Sequence, residues 1–228
     1  MTVDYIDNPN QRTPCVLVLD ASWSMNETVS NGNRRIDQLN EGLVAFEKAI
    51  TEDDTALGRV QISIVIVGGP NGEAEVMMDW TDAVSFQAFP LSAGGGTPLA
   101  EGLIKGLEMV EVGKRNLTNA GIGYTRPWMI VISDGEPTSR RNDWNDAISK
   151  VLDAESDNKV VVFPVGVEGA SLEKLGEISS QRPVASLSTT KFDEFFLWLS
   201  SSLGVVSRSR PGDELNLPST DPWKNVGI

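Results

Sequence analysis

Four stretches of the chain are almost continuously apolar: CVLVLD (15–20), VQISIVIVG (60–68), WMIVISD (128–134) and VVVFPVGV (160–167). They are rich in β-branched residues and do not alternate cleanly between apolar and polar, the pattern of strands covered on both faces. A weaker run, EAEVMMDW (73–80), follows the turn signal GGPNG so closely that a hairpin is expected, which makes it an antiparallel edge strand. RPVASL (182–187) offers a last short strand. Between the strands, apolar positions recur with the helical period. RIDQLNEGLVAFEKAI (35–50) puts Ile36, Leu39, Leu43, Phe46 and Ile50 on one stripe, and TPLAEGLIKGLEMVEV (97–112) does the same with Leu99, Leu103, Leu107 and Val110. Residues 143–155, 171–179 and 192–204 complete the set of helices. The alternation predicts a doubly wound α/β fold: a mainly parallel sheet with one antiparallel edge strand and helices on both faces.

Residues 14–204 read as one domain behind an N-terminal arm, 1–13. The segment VGKRNLTNAGIGYTR (112–126) is locally basic and is expected to be a surface loop at the end of the sheet away from the strands' carboxyl ends. A basic docking patch there is the sharper alternative. From 205 to 228 the periodicity fades and three prolines appear, so this tail is either disordered or an extended arm. As an arm it would dock Leu215, Leu217 and Trp223 on this domain or on a partner.

Composition narrows the chemistry. The 228 residues are 40% hydrophobic and 22% charged, ordinary for a globular domain. Acidic residues outnumber basic ones 32 to 19, for a formal charge of −13. Such a surface disfavours nucleic acid and anionic lipid, and favours cations or a basic partner. Cys15 is the sole cysteine and histidine is absent, which excludes an intrachain disulfide, Ser-His-Asp and Cys-His nucleophiles and the usual zinc sites. The first residues lack the features of a signal peptide and no apolar run approaches the ~20 residues that span a bilayer, so a soluble, cytoplasmic protein is expected.

Three polar clusters fall where α/β sheets bind ligands, beyond the carboxyl ends of strands. They are Asp20, Ser22 and Ser24 after the first strand, Thr97 behind Gly94–Gly96, and Asp134 after the strand at 128–134. Each has a plain structural alternative. The serines could cap a loop or helix, Thr97-Pro98 could be an N-cap with proline at the first helical position, and Asp134-Gly135 could be a tight turn. Taken together they are two carboxylates and three hydroxyls with no sulfur or imidazole. That set suits a hard cation, Mg2+ or Mn2+.

These residues resemble the metal-ion-dependent adhesion site of the von Willebrand factor A domains, D-x-S-x-S followed by a distant Thr and a distant Asp. Asp20, Ser22, Ser24, Thr97 and Asp134 match it in order and spacing. Over about residues 14–200 the chain is similar to TerY-like proteins of bacterial tellurium-resistance systems, through GGGTPLAEGL and GIGYTRPWMIVISDGEPT. The resemblance implies that Ser22, Ser24 and Thr97 touch the metal while Asp20 and Asp134 act mostly through waters. It also implies a coordination position left open for an Asp or Glu of a partner protein. A binding module with no catalytic residues follows, in a bacterial stress-response or defence system with a kinase-like or phosphatase-like partner. Trp23, between the two serines, would face that partner, as would Gly95 and Gly96 on the Thr97 loop. Integrin β subunits likewise carry an aromatic residue at the Trp23 position, and burial of the ring under a neighbouring loop is the alternative. Two other functions compete: a regulatory subunit of a chelatase-like ATPase machine, and a magnesium-dependent phosphoryl hydrolase. The hydrolase is disfavoured because Ser22 stands where a second acidic residue would follow Asp20.

Overall fold

The computed structural model describes residues 10–187, 192–209 and 216–220. Six strands form one sheet: β1 (Thr13–Ala21), β2 (Val60–Gly68), β3 (Glu73–Asp82), β4 (Trp128–Ser133), β5 (Val161–Gly166) and β6 (Ala185–Ser186). Their order is β3-β2-β1-β4-β5-β6, parallel throughout except for β3, which pairs antiparallel with β2. The helices are α1 (Arg35–Glu52), α2 (Asp54–Arg59), α3 (Leu99–Asn119), α4 (Arg141–Ser156), α5 (Leu172–Gly176) and α6 (Phe192–Arg208).

Period-two alternation within the apolar strands divides the core into two layers. Cys15, Leu17 and Leu19 of β1, with Ile62, Ile64 and Ile66 of β2, face the layer containing α1 and α6. Val16, Val18, Val65 and Val67 face the layer containing α3 and α4. Every residue of β1 and β2 is buried, which explains why neither strand alternates apolar with polar. Each large side chain packed this way contributes on the order of 1.5–3 kcal/mol.

The elements differ from expectation in four places. Helix α3 runs on to Asn119, absorbing much of the loop expected over 112–126. Val110, Gly113 and Leu117 continue its buried stripe, and the glycine hid the pattern because it contributes no apolar side chain. Gly113 instead receives the Trp80 ring, whose Nε1 donates to the Met109 carbonyl at 2.9 Å. Lys114 of the supposed basic patch pairs with Glu111. Helix α2 was not anticipated; Asp53 starts it by accepting from the amides of Thr55 and Ala56. Helix α6 passes the expected end at 204 because Val206 and Ser207 are still buried, and Arg59 donates to the Ser207 carbonyl at 2.6 Å. At the other terminus, Arg12 of the expected arm is buried and its backbone bridges to Tyr124.

Of the residues expected to dock from the tail, Leu215 and Trp223 lie outside the described residues. Leu217 packs against the core, and the Trp198 indole donates to the Pro218 carbonyl at 3.0 Å. A chain ending at Ser209 should therefore stay folded but melt lower, since a buried indole N–H loses its acceptor and Leu217 its packing. A loss of about 2 kcal/mol, or ~4–8 °C for a domain of this size, is expected by thermal unfolding. An unchanged melting temperature would show that the 216–220 contacts contribute nothing.

Candidate metal centre

The strand order reverses on either side of β1, so the carboxyl ends of β1 and β4 flank the switch point of the sheet. Asp20 lies near the end of β1 and Asp134 directly follows β4. Chain that would otherwise be about 110 residues apart is thereby brought into contact: the Ser24 hydroxyl bonds to Asp134 Oδ2. The Ser22 and Ser24 hydroxyl oxygens are 3.0 Å apart. Thr97, Ser22 and Asp134 are buried, and all of them line one cleft of about 370 Å³ together with Ser24.

The plain structural alternatives can be tested against these positions. Ser22 is the residue before a short 3-10 turn at Trp23–Asn26, yet its side chain makes no capping bond. Helix α3 begins one residue later than expected, at Leu99 with Pro98 at the cap position, so Thr97 does not cap it. The Ser139 hydroxyl takes that role, accepting from the Ala100 amide at 3.2 Å. The Asp134 side chain does support its turn, accepting from the Glu136 amide at 3.2 Å through Oδ1. The other oxygen, Oδ2, is turned to Ser24. Local capping thus takes up none of the three hydroxyls; those of Ser22 and Ser24 meet each other, and Ser24 meets Asp134.

Backbone packing brings the loops this close. The Ala21 carbonyl accepts from the amides of Gly69 and Gly94 at 2.7 and 2.9 Å, and the Trp23 amide donates to the Gly95 carbonyl at 3.0 Å. Gly95, at φ 64°, leans on the β2–β3 turn so tightly that a Cβ would lie 2.3 Å from Gly72 Cα. Gly95 and Gly96 both line the cleft. Trp23 is 66% exposed at its rim, which sets aside burial of the ring.

Asp20 is fully buried, accepting from the Ser22 amide at 2.8 Å and from the Ser133 hydroxyl at 2.6 Å. Burial and the nearby Asp134 charge push its carboxyl up to about 6, against the pull of those hydrogen bonds. Neither Asp20 nor Asp134 has an ion-pair partner among the described residues. Two close, buried carboxylates unpaired with Lys or Arg among the described residues, beside the hydroxyl oxygens of Ser22, Ser24 and Thr97, form a donor set suited to a hard divalent ion. Among the described residues no three His, Cys, Asp or Glu side chains are grouped to hold a metal, so such an ion would depend on the hydroxyls. Sequence reasoning missed Ser133, although a serine closing an otherwise apolar strand was a visible signal. It also missed Thr138, whose hydroxyl accepts from the Thr97 amide at 3.0 Å.

The sequence model described as von Willebrand factor type A domain matches residues 15–196. No curated protein matches by sequence. Among solved structures, the pilus adhesin SpaC from Lactobacillus rhamnosus GG is similar, with a TM-score of 0.64 at 15% identity. That match covers 87% of this chain but 32% of the adhesin, so the chain spans about a third of its length. The vWF domain of the type V pili tip protein Mfa5 from Porphyromonas gingivalis aligns at TM-score 0.59 and 10% identity, covering 88% of this chain and 98% of that one. The PilB minor pilin from Streptococcus sanguinis gives 0.56 at 12% identity, covering 86% and 62%. At these identities the likeness establishes the fold.

The raised Asp20 carboxyl has a measurable consequence in metal-free protein. An unfolded Asp titrates near 3.8, so between about pH 4 and 6 the folded state keeps a proton that the unfolded chain releases. Stability from this group is therefore gained as pH falls through 6 and lost as pH rises above it. In EDTA, Asp20→Asn should be more stable than wild type at pH 7.5 by something on the order of 2 kcal/mol, with the gap narrowing by pH 5. Chemical denaturation at the two pH values measures this; a gap independent of pH would mean that the Asp20 charge is not the source of the cost.

Proposed function

Since this chain belongs to the von Willebrand factor type A domain family, we propose that it is a metal-dependent protein-interaction module. The observation that carries the reading is the cluster of Ser22, Ser24 and Thr97 hydroxyls, unused for capping, beside two carboxylates that lack a cation. Ser22, Ser24 and Thr97 would hold Mg2+, or Mn2+, directly. Asp20 and Asp134 would balance its charge from behind, chiefly through water. The bound ion supplies an incompletely neutralised positive charge facing the cleft.

The chain's own groups fix what reaches that charge. Ser133 and the Ser22 amide hold Asp20 in place, so the carboxylate cannot swing forward to fill the open position. Asp134 orients the Ser24 hydroxyl. Trp23, at the rim, presents a large apolar face beside the cleft, and the backbones of Gly95 and Gly96 form part of its wall. An Asp or Glu of a protein partner is the matching ligand. The reading takes binding as the output; the absence of histidine from the chain, the usual base for a serine nucleophile, supports it. The TerY-like sequence features GGGTPLAEGL and GIGYTRPWMIVISDGEPT support a place in a bacterial stress-response system, in the cytoplasm, with a kinase-like or phosphatase-like partner. No helix among the described residues is long and apolar enough to cross a membrane.

Calorimetric titration with magnesium tests the site. Wild type should bind, and Asp134→Ala should not, while its melting temperature in EDTA stays equal or rises because repulsion with Asp20 is relieved. Equal magnesium affinity in both proteins would remove the assigned site. Trp23→Ala should leave magnesium affinity and melting temperature unchanged but weaken capture of the partner at least tenfold, about 1.4 kcal/mol. Loss of several degrees with normal partner binding would make the ring a packing element.

A further inference from the structure

One buried charge in the cleft has no part in holding a cation. Arg35, the first residue of α1, is only 9% exposed and lines the cleft with Ser22, Ser24 and Asp134. Its Nη1 donates to the Ser24 carbonyl at 3.2 Å and pairs with Glu27 Oε2 at 2.9 Å. Its Nε is buried with no partner among the described residues. Its Nη2 lies against the bare backbone of Gly169, where a Cβ would come within 2.9 Å. A guanidinium offers five N–H donors, and leaving one buried and unmet is costly. Among the described residues the single carboxylate that meets it belongs to Glu27, whose side chain is 53% exposed and can swing into solvent.

We propose that Arg35 is a second anion-recognition group of this cleft, and that the ligand is an acidic peptide segment carrying two carboxylates. One faces the hydroxyl cluster and the other replaces Glu27 on Arg35; the first half rests on the metal-dependent reading above. In the free protein Glu27 stands in for the ligand's second carboxylate, screening a charge that would otherwise be unpaired. A carboxylate matches the fork of an arginine in two parallel hydrogen bonds, which a single monodentate contact at Nη1 does not use. The arrangement selects against segments with one isolated acidic residue, because these leave the Arg35–Glu27 pair as it is and gain nothing from it.

Two capped hexapeptides test this at saturating magnesium, one with a single Asp and one with a second Asp two residues on, by fluorescence anisotropy. Wild type should bind the two-Asp peptide at least tenfold more tightly, well beyond the twofold that two equivalent acidic residues give statistically. Arg35→Gln should bring the ratio near two while keeping the single-Asp affinity. Glu27→Gln, at an exposed side chain whose amide oxygen can still accept from Arg35, should raise two-Asp affinity about threefold or more and leave the single-Asp peptide unchanged. That variant decides the matter alone if Arg35→Gln fails to fold. Each protein is first titrated with magnesium, so that every peptide is measured on a saturated site. If magnesium and the single-Asp peptide bind but wild type shows no preference, or Arg35→Gln keeps it, this inference is overturned by itself. Failure of wild type to bind magnesium or either peptide overturns it together with the metal-dependent reading.

Discussion

A carboxylate buried at the end of the central strand sets the terms for everything around it. Asp20 cannot be moved to solvent, because β1 is enclosed on both faces and paired on both edges. The fold meets its charge with hydroxyl and amide donors and leaves the cationic part unsupplied. A structure selected for stability alone would place an apolar residue or an ion pair here. Asp134 adds to that cost by proximity, and the cation proposed for the cleft would offset it.

Much of this was legible in the sequence, and the reasons are physical. Strands enclosed on both faces announce themselves as unbroken apolar runs, and a six-strand doubly wound sheet has few alternative arrangements once its one hairpin is recognised. The five candidate residues were readable because Asp20, Ser22 and Ser24 cluster at the end of β1, Asp134 follows β4 and Thr97 precedes α3, where the topology sends loops to one end. What stayed hidden depended on residues without a pattern of their own. Gly113 interrupts the α3 stripe in the sequence while the Trp80 ring fills it in space. Ser133 reads as a strand terminus until its hydroxyl is seen on Asp20. Arg35 reads as the polar start of an amphipathic helix, and only the fold reveals that its head group is enclosed by loops from β1 and β5.

The structural neighbours share the fold at 10–15% identity, and they include pilus proteins. Such distance limits the likeness to the fold. The rim of this chain's cleft carries an exposed tryptophan and an arginine–glutamate pair. These flanking groups, more than the oxygen cluster, would separate one partner from another.

The bond between Ser133 and Asp20 joins residues 113 positions apart, and that between Ser24 and Asp134 joins residues 110 apart. Neither can exist until β4 has found β1 across the intervening β2–β3 hairpin and α3. Parallel pairing of this span carries a large loop-closure entropy and is intrinsically slow. The cleft therefore exists only once that pairing has formed. On a nascent or partly folded chain the two acidic residues stay apart in water. The oxygen cluster is in this sense a reporter of register, complete only where β1 and β4 are correctly paired.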